Sequence, residues 1–170
     1  MATNDDEVKE PIQIDGAQVD TRRDGEADSI IRKHMGYAMA GGAVPIPILD
    51  LTAVTAVQLD MLKQLAKNYE VELDGGSART FLTSLTSALG ATGAARIAAS
   101  AVKLIPGVGW AIGGATQVVV TGASTYAVGS LFKRLFREKR PLDDLDAAAV
   151  KDELKSYFDA GKDLATSLKD

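Results

Sequence analysis

Apolar residues recur at intervals of three and four over most of this 170-residue chain. Two stretches break the rhythm: a charged beginning and a long run without charge. Residues 1–28 are polar, with Pro11, Gly16 and Gly25 among scattered aliphatics. So little apolar surface predicts a disordered acidic tail, with a short strand around 12–14 as the alternative. Ser29 is placed to cap a helix that starts at Ile30 and carries Ile31, Lys33, His34 and Tyr37. His34 reads as a surface or interface side chain. Gly41-Gly42 ends this helix, and Val44-Pro45-Ile46-Pro47 must be an extended elbow, because proline lacks an N–H and disfavours helix in the residue before it.

Pro47 suits the first turn of a second helix reaching about Val71. Ile48, Leu59, Leu62 and Tyr69 make one apolar stripe, and Leu51, Val54, Met61 and Leu65 a second beside it. Asp60, Lys63, Gln64 and Lys67 give the second half a polar face, whereas the first half has a single charge, Asp50, and is expected to lie deeper. Leu73-Asp74-Gly75-Gly76 is a turn, and Ser77 is placed to cap a third helix through Phe81, Leu82, Leu85, Leu89, Ile97 and Val102. Gly90 and Gly93 predict a tight helix crossing there, since small residues cost helix propensity unless another backbone comes close. Pro106-Gly107 forms a second elbow, and a fourth helix then runs from about Val108 to Arg137 or Lys139, closed by Pro141. A last, amphipathic helix from Asp143 or Asp144 repeats Val150, Leu154, Tyr157, Gly161, Leu164 and Leu168. With no strand pattern competing, the class is all-α: a bundle of four to five helices with two proline elbows and a Gly/Ala-rich central helical hairpin. The organisation is a tail over 1–28, a helical domain over 29–140, and a C-terminal helix over 141–170 that packs on it or on a partner.

The uncharged run over 104–132 is long enough for a bilayer, which needs about twenty apolar residues. Pro106, Gln117 and many Gly, Ser and Thr residues lower its hydrophobicity well below that of a Leu-rich span. Gly109 and Gly113 form a G-x-x-x-G pair, and Gly122 and Gly129 lie a heptad apart; such residues bring helices close in lipid and in water alike. A buried bundle helix and a membrane-inserted one are both open readings. Lys133, Arg134, Arg137, Lys139 and Arg140 follow at once. Cations complement the dipole of a helix C-terminus, but these exceed what a cap requires, so the run is expected to meet anionic lipid headgroups or an acidic partner. Phe132, Phe136 and Trp110 are the accompanying apolar anchors. Asp50, in a first turn, reads as a cap, with a buried polar contact as the alternative.

Composition narrows the chemistry. Aromatics are only 5% of the chain against a hydrophobic fraction of 46%, so the interior must be built from small and aliphatic side chains. With 19 basic and 23 acidic side chains there is no overall footprint for nucleic acid. The absence of Cys and the single His exclude a disulfide framework and a Cys/His metal site. Asp143, Asp144 and Asp146 lack the Gly and final Glu of an EF-hand loop. No nucleophile and base stand in a recognisable pattern, so neither catalysis nor a cofactor is expected. The beginning of the chain is acidic where a secretory signal needs a positive start and an apolar run.

The run Gly41-Gly42-Ala43-Val44-Pro45-Ile46-Pro47-Ile48-Leu49-Asp50-Leu51, followed later by Lys103-Leu104-Ile105-Pro106-Gly107-Val108-Gly109, resembles the YcjF-like family of unknown function. Pro45, Pro47, Asp50, Pro106, Gly107 and Gly109 carry the likeness, which covers roughly 30–140. The resemblance implies an α-helical, membrane-associated domain of the kind often found C-terminal to a GTPase domain. No G-x-x-x-x-G-K-[ST] loop occurs in this chain, so any nucleotide hydrolysis would belong to a separate partner. The expected function is a non-catalytic, membrane-associating helical module at the cytoplasmic face of a membrane or in the cytoplasm. It would act with a GTPase-like partner or as a homo-oligomer, its elbows and fourth helix meeting lipid while the basic run grips headgroups. A soluble adaptor and a membrane-permeabilising effector are the alternatives.

Overall fold

The computed structural model describes residues 16–42, 47–91, 109–142, 145, 146 and 148–169. Within them lie five helices and no strand: α1 (Gly16–Gly42), α2 (Pro47–Asn68), α3 (Gly75–Ala91), α4 (Gly109–Arg137) and α5 (Lys151–Lys169). The architecture is the all-α bundle that the apolar periodicity predicts. Pro45, Gly93, Pro106 and Gly107 lie outside the described residues, as does the possible strand at 12–14. Pro47 opens α2, Gly109 opens α4, and Asp50, Gly90, Trp110 and Gly113 lie along the helix backbones.

α4 is the axis of the bundle and packs on α1, α2 and α5, while α3 leans on α2 and α5. From Thr121 to Phe136 it is buried almost all round, with Ala123, Ala127, Leu131, Phe132 and Leu135 fully enclosed. A helix covered on several sides needs small residues wherever a neighbour comes close. A Cβ at Gly122 would stand 2.6 Å from Met39 Cγ, and one at Gly129 would stand 2.8 Å from Ile31 Cγ1, so α1 occupies the space that both leave. A Cβ at Gly161 of α5 would stand 3.0 Å from Ala123 Cα and from its carbonyl oxygen, so there the helices meet backbone to backbone. Among the described residues no helix is long and apolar enough to cross a membrane.

Phe132 and Phe136 are corrected from surface anchors to core residues, exposed by 0% and 1%. Phe132 meets Phe81 of α3 and Phe136 edge-on, with ring centroids 5.7 and 5.5 Å apart. Each ring's burial is worth about 2–3 kcal/mol. Consecutive residues on a helix point about 100° apart, so a turn that buries phenylalanines can still direct the neighbouring cations outward.

The helix boundaries also differ from expectation, each for a visible reason. α1 begins at Gly16 rather than Ile30, so the tail expected over 1–28 is helical from residue 16. Arg23, Asp24 and Asp28 meet partners beyond α1, and Ala27 is fully buried; Ser29 Oγ donates back to the Gly25 carbonyl within the helix instead of capping one. The cap of α3 is Asp74 and not Ser77, because Asp74 Oδ2 accepts the Ser77 N–H at 2.7 Å. α2 ends at Asn68, where Glu70 takes a φ of 55° and the Val71 N–H reaches back to the Ala66 carbonyl. α4 stops identically, with Lys139 at φ 51° and the Arg140 N–H on the Leu135 carbonyl. α5 begins at Lys151, later than Asp143 or Asp144, after a turn in which Asp146 Oδ1 accepts the Ala148 N–H. The first half of α2 is the shallower one where side chains are described: Val54, Thr55 and Val57 are half-buried and Ala56 is exposed, while Met61, Leu62 and Leu65 are fully enclosed.

The close approach at Gly161 sets an expectation for stability. Gly161→Ala should destabilise by about 1–3 kcal/mol, since the added carbon meets backbone that cannot swing aside. Gly36→Ala, at a helical position with nothing within 4 Å, should instead stabilise by about 0.5–1 kcal/mol. Urea unfolding midpoints of the two variants check both signs.

Candidate functional site

Helices α2 and α4 run in one direction and α1 and α5 in the other, and the residues that meet across them give the levels along the bundle. Asp24 meets Arg137, Asp28 meets Lys133, and Met39 faces Gly122, so α1 and α4 are antiparallel. Arg23 meets Glu70, and Arg134 meets Glu153, which makes α1–α2 and α4–α5 antiparallel as well. Pro47 and Gly109, at the expected elbows, therefore lie at one end of the bundle, and Arg137 at the other. α4 has 29 residues, so about 40 Å separate its two termini. Pro47 and Gly109 thus lie far from the basic run, although elbows and basic run were both expected to meet lipid.

At the basic end the cations are held by carboxylates of the same chain. Lys133 Nζ donates to Asp28 Oδ1 at 2.7 Å. Arg134 forks onto Glu153, with Nε 2.5 Å from Oε1 and Nη2 donating to Oε2 at 2.7 Å, and also reaches Glu138 at 2.9 Å. Arg137 Nη1 donates to Asp24 Oδ2 at 3.2 Å. Lys139 and Arg140 are exposed and make no ion pair with the described residues. Of the expected headgroup contacts, then, the first three cations are engaged internally and the last two face solvent.

Asp24 is the residue on which this end converges. Its Oδ1 accepts the Tyr69 hydroxyl at 2.5 Å, while the neighbouring Arg23 holds Glu70 at 2.7 Å and offers its carbonyl to Asn68 Nδ2 at 2.8 Å. Burial alone would raise the Asp24 carboxyl, but the Tyr69 hydrogen bond and the charges of Lys133 and Arg137 outweigh it and hold the group below its ordinary value. The same contact, together with burial, pushes the Tyr69 phenol up, so it remains a donor. Burial would lower Arg134, but the hydrogen bonds it donates to Glu153 and Glu138 outweigh this and raise it. None of these carboxylates stood out in the sequence. A signal was present in Val19, Arg23, Ala27 and Ile31, whose spacing by four extends the buried stripe of α1 back into the charged segment.

Midway along, His34 is enclosed between α1 and α2 and not on the surface, exposed by only 1%. Its Nδ1 lies 2.7 Å from the Ile30 carbonyl, and its Nε2 lies 3.0 Å from Asp60 Oδ2, which also accepts Gln64 Nε2 at 2.8 Å. The hydrogen bond with His34 is the main reason that the Asp60 carboxyl sits below its ordinary value. Among the described residues no three His, Asp or Glu side chains converge as a metal site requires.

The elbow end has the opposite character. Met39 faces Gly122, yet α1 has only three residues left before Gly42, whereas α4 has thirteen back to Gly109. α4 therefore overshoots α1 by about ten residues, about 15 Å. From the Gly161–Ala123 contact, α5 has eight residues to Lys169 and α4 has fourteen to Gly109, an overshoot of about six residues or 9 Å. The overshoot begins Gly109-Trp110-Ala111-Ile112-Gly113-Gly114 and carries no charge. Val118, Val119 and Val120 next to it are half-buried. Tyr37 and Leu168, the large apolar side chains exposed by 54% and 57%, both lie on the elbow side of the ion pairs.

The domain family described as a domain of unknown function (DUF697) matches residues 7–163. Magnetosome membrane protein 22 of Magnetospirillum gryphiswaldense is 34% identical over 148 residues, which cover 86% of this chain and 76% of that protein. No solved structure matches.

The convergence on Asp24 predicts an acid sensitivity. A carboxyl whose folded value is depressed stabilises above its unfolded value, near 3.8, and that stability is lost as the pH falls through the folded value. Asp24→Asn should cost about 1–2 kcal/mol at neutral pH and flatten the decline of stability below about pH 4. Urea titrations from pH 7 down to about pH 2 would compare the two slopes, and parallel slopes would remove Asp24 from the linkage.

Proposed function

Because the chain belongs to the DUF697 family, whose function is unknown, we propose its role from the geometry: it is a non-catalytic helical module that associates with a membrane through its elbow end. The observation that carries this reading is the uncharged overshoot of α4 beyond α1 and α5, at the end remote from the ion pairs. Apolar surface without charge is what a bilayer interface takes up, and an aromatic residue such as Trp110 suits the headgroup level. The 34% identity to a magnetosome membrane protein over most of both chains supports membrane association. In this reading contact is made by one end of a bundle and not by a spanning helix. The bundle stands on the cytoplasmic face, and its charged end points into the aqueous phase. A GTPase-like protein or a second copy of the chain would dock at that charged end, where Lys139 and Arg140 are exposed.

Liposome flotation with the full chain tests the proposal, and the single Trp supplies an internal reporter at the overshoot. The wild-type chain should rise with the vesicles and shift its Trp110 emission to the blue. Ile112→Asp should abolish both signals, whereas replacing Lys139 and Arg140 by Gln should leave both in place. Flotation lost with the cation replacements and kept with Ile112→Asp would assign the contact to the basic end instead. A wild-type chain that never rises with neutral or anionic vesicles would sink the membrane reading.

A further inference from the structure

At the charged end a groove of about 210 Å³ runs along α4 between α1 and α5. Tyr126, Ser130, Lys133, Arg134 and Arg137 line it from α4, Tyr157 from α5 and Asp28 from α1. The α4 residues fall at intervals of three and four, so one helix face presents two hydroxyls and three cations in a row. Tyr157 is pushed up by burial and by its hydrogen bond with Glu153, and so remains protonated. Six of the seven lining side chains can donate a hydrogen bond, and Asp28 is the single carboxylate among them.

We propose that this groove binds a phosphate group, with Asp28 as a displaceable guard over Lys133. The Lys133–Asp28 pair is 2.7 Å long, but the aspartate is 56% exposed while the lysine is only 19% exposed. Asp28 can turn into water at little cost because an exposed ion pair contributes little, whereas Lys133 stays fixed in the groove wall. Arg137, 52% exposed, is held to Asp24 at 3.2 Å and can turn toward an incoming anion. Arg134 is fixed by Glu153 and Glu138, and with these carboxylates it forms the rigid floor. A phosphate oxygen would then accept from Lys133 and Arg137, in place of Asp28 and Asp24, and from the hydroxyls of Ser130 and Tyr126. The donor chemistry suits a soluble phosphate ester and a lipid headgroup phosphate equally. With the elbow end at the membrane the groove faces the aqueous phase, so the two sources are separable by experiment.

Titration of the full-length chain with inorganic phosphate, followed by the backbone amide resonances of residues 126–137, tests the assignment. Saturable shifts are expected. Asp28→Asn should tighten binding about threefold by removing the guard. Lys133→Gln should weaken it about tenfold, with circular dichroism confirming an unchanged helix content. Asp163→Asn, the loss of an equal charge on the elbow half of α5, should change nothing. The proposal is overturned if neither the wild-type chain nor Asp28→Asn shows saturable shifts, or if Asp163→Asn tightens binding as much as Asp28→Asn does. Vesicles containing phosphatidic acid form the second arm: recruitment that Lys133→Gln abolishes identifies a lipid phosphate, and recruitment indifferent to it identifies a soluble one. No lipid is present in the first titration, so its failure is distinct from a failure of membrane association.

Discussion

The fold depends on how closely α4 is approached by its neighbours. Small residues at Gly122 and Gly129 of α4 and at Gly161 of α5 let these helices come so near that a single added carbon would collide with a side chain or with backbone. Interiors packed at this density leave little slack, so the positions of the surrounding helices follow from the small-residue pattern of one of them. The low aromatic content belongs to the same constraint, because an axis of glycine and alanine leaves few places for large rings. Three of the rings, Phe81, Phe132 and Phe136, pack edge-on in sequence where α3 closes the side of the bundle.

Two kinds of surface result from the direction in which α4 runs. Its basic C-terminal turns are wrapped by acidic residues of α1 and α5, and its uncharged N-terminal turns run past the ends of both. Charge is thus used at the C-terminal end of α4 as internal fastening and is missing from its N-terminal turns, next to which Val118, Val119 and Val120 are half-buried. Membership of a family without a known function adds no chemistry to this picture.

Much of the fold was legible in the sequence because it rests on local rules. Pro47 at a helix start and an apolar period of three to four residues depend on nothing beyond the next turn of chain. Glycine spacing indicated a closely packed α4, although it left open whether the neighbours were helices or lipid. The site was much less legible. Asp24 and Asp28 looked like part of a charged tail because their partners lie on α4, more than a hundred positions later. Phe132 and Phe136 looked like anchors because they adjoin cations, and adjacency along a helix says little about direction. His34 was misjudged for a similar reason, since only α2, arriving with Asp60 and Gln64, makes it an interior residue.

The bridge from Asp24 to Arg137 spans 113 positions, and the one from Asp28 to Lys133 spans 105. Contacts so far apart in the chain must wait for the loop between them to close, which slows their formation. During synthesis the first helix emerges long before its basic partners exist. The α1–α2 pair can meet early through His34 and Asp60 and through Asp24 and Tyr69, but Asp28 and the second oxygen of Asp24 lack their cations until the last turns of α4 leave the ribosome. This end is therefore fastened late, and a nascent fragment ending before Lys133 would leave Asp28 without its cation.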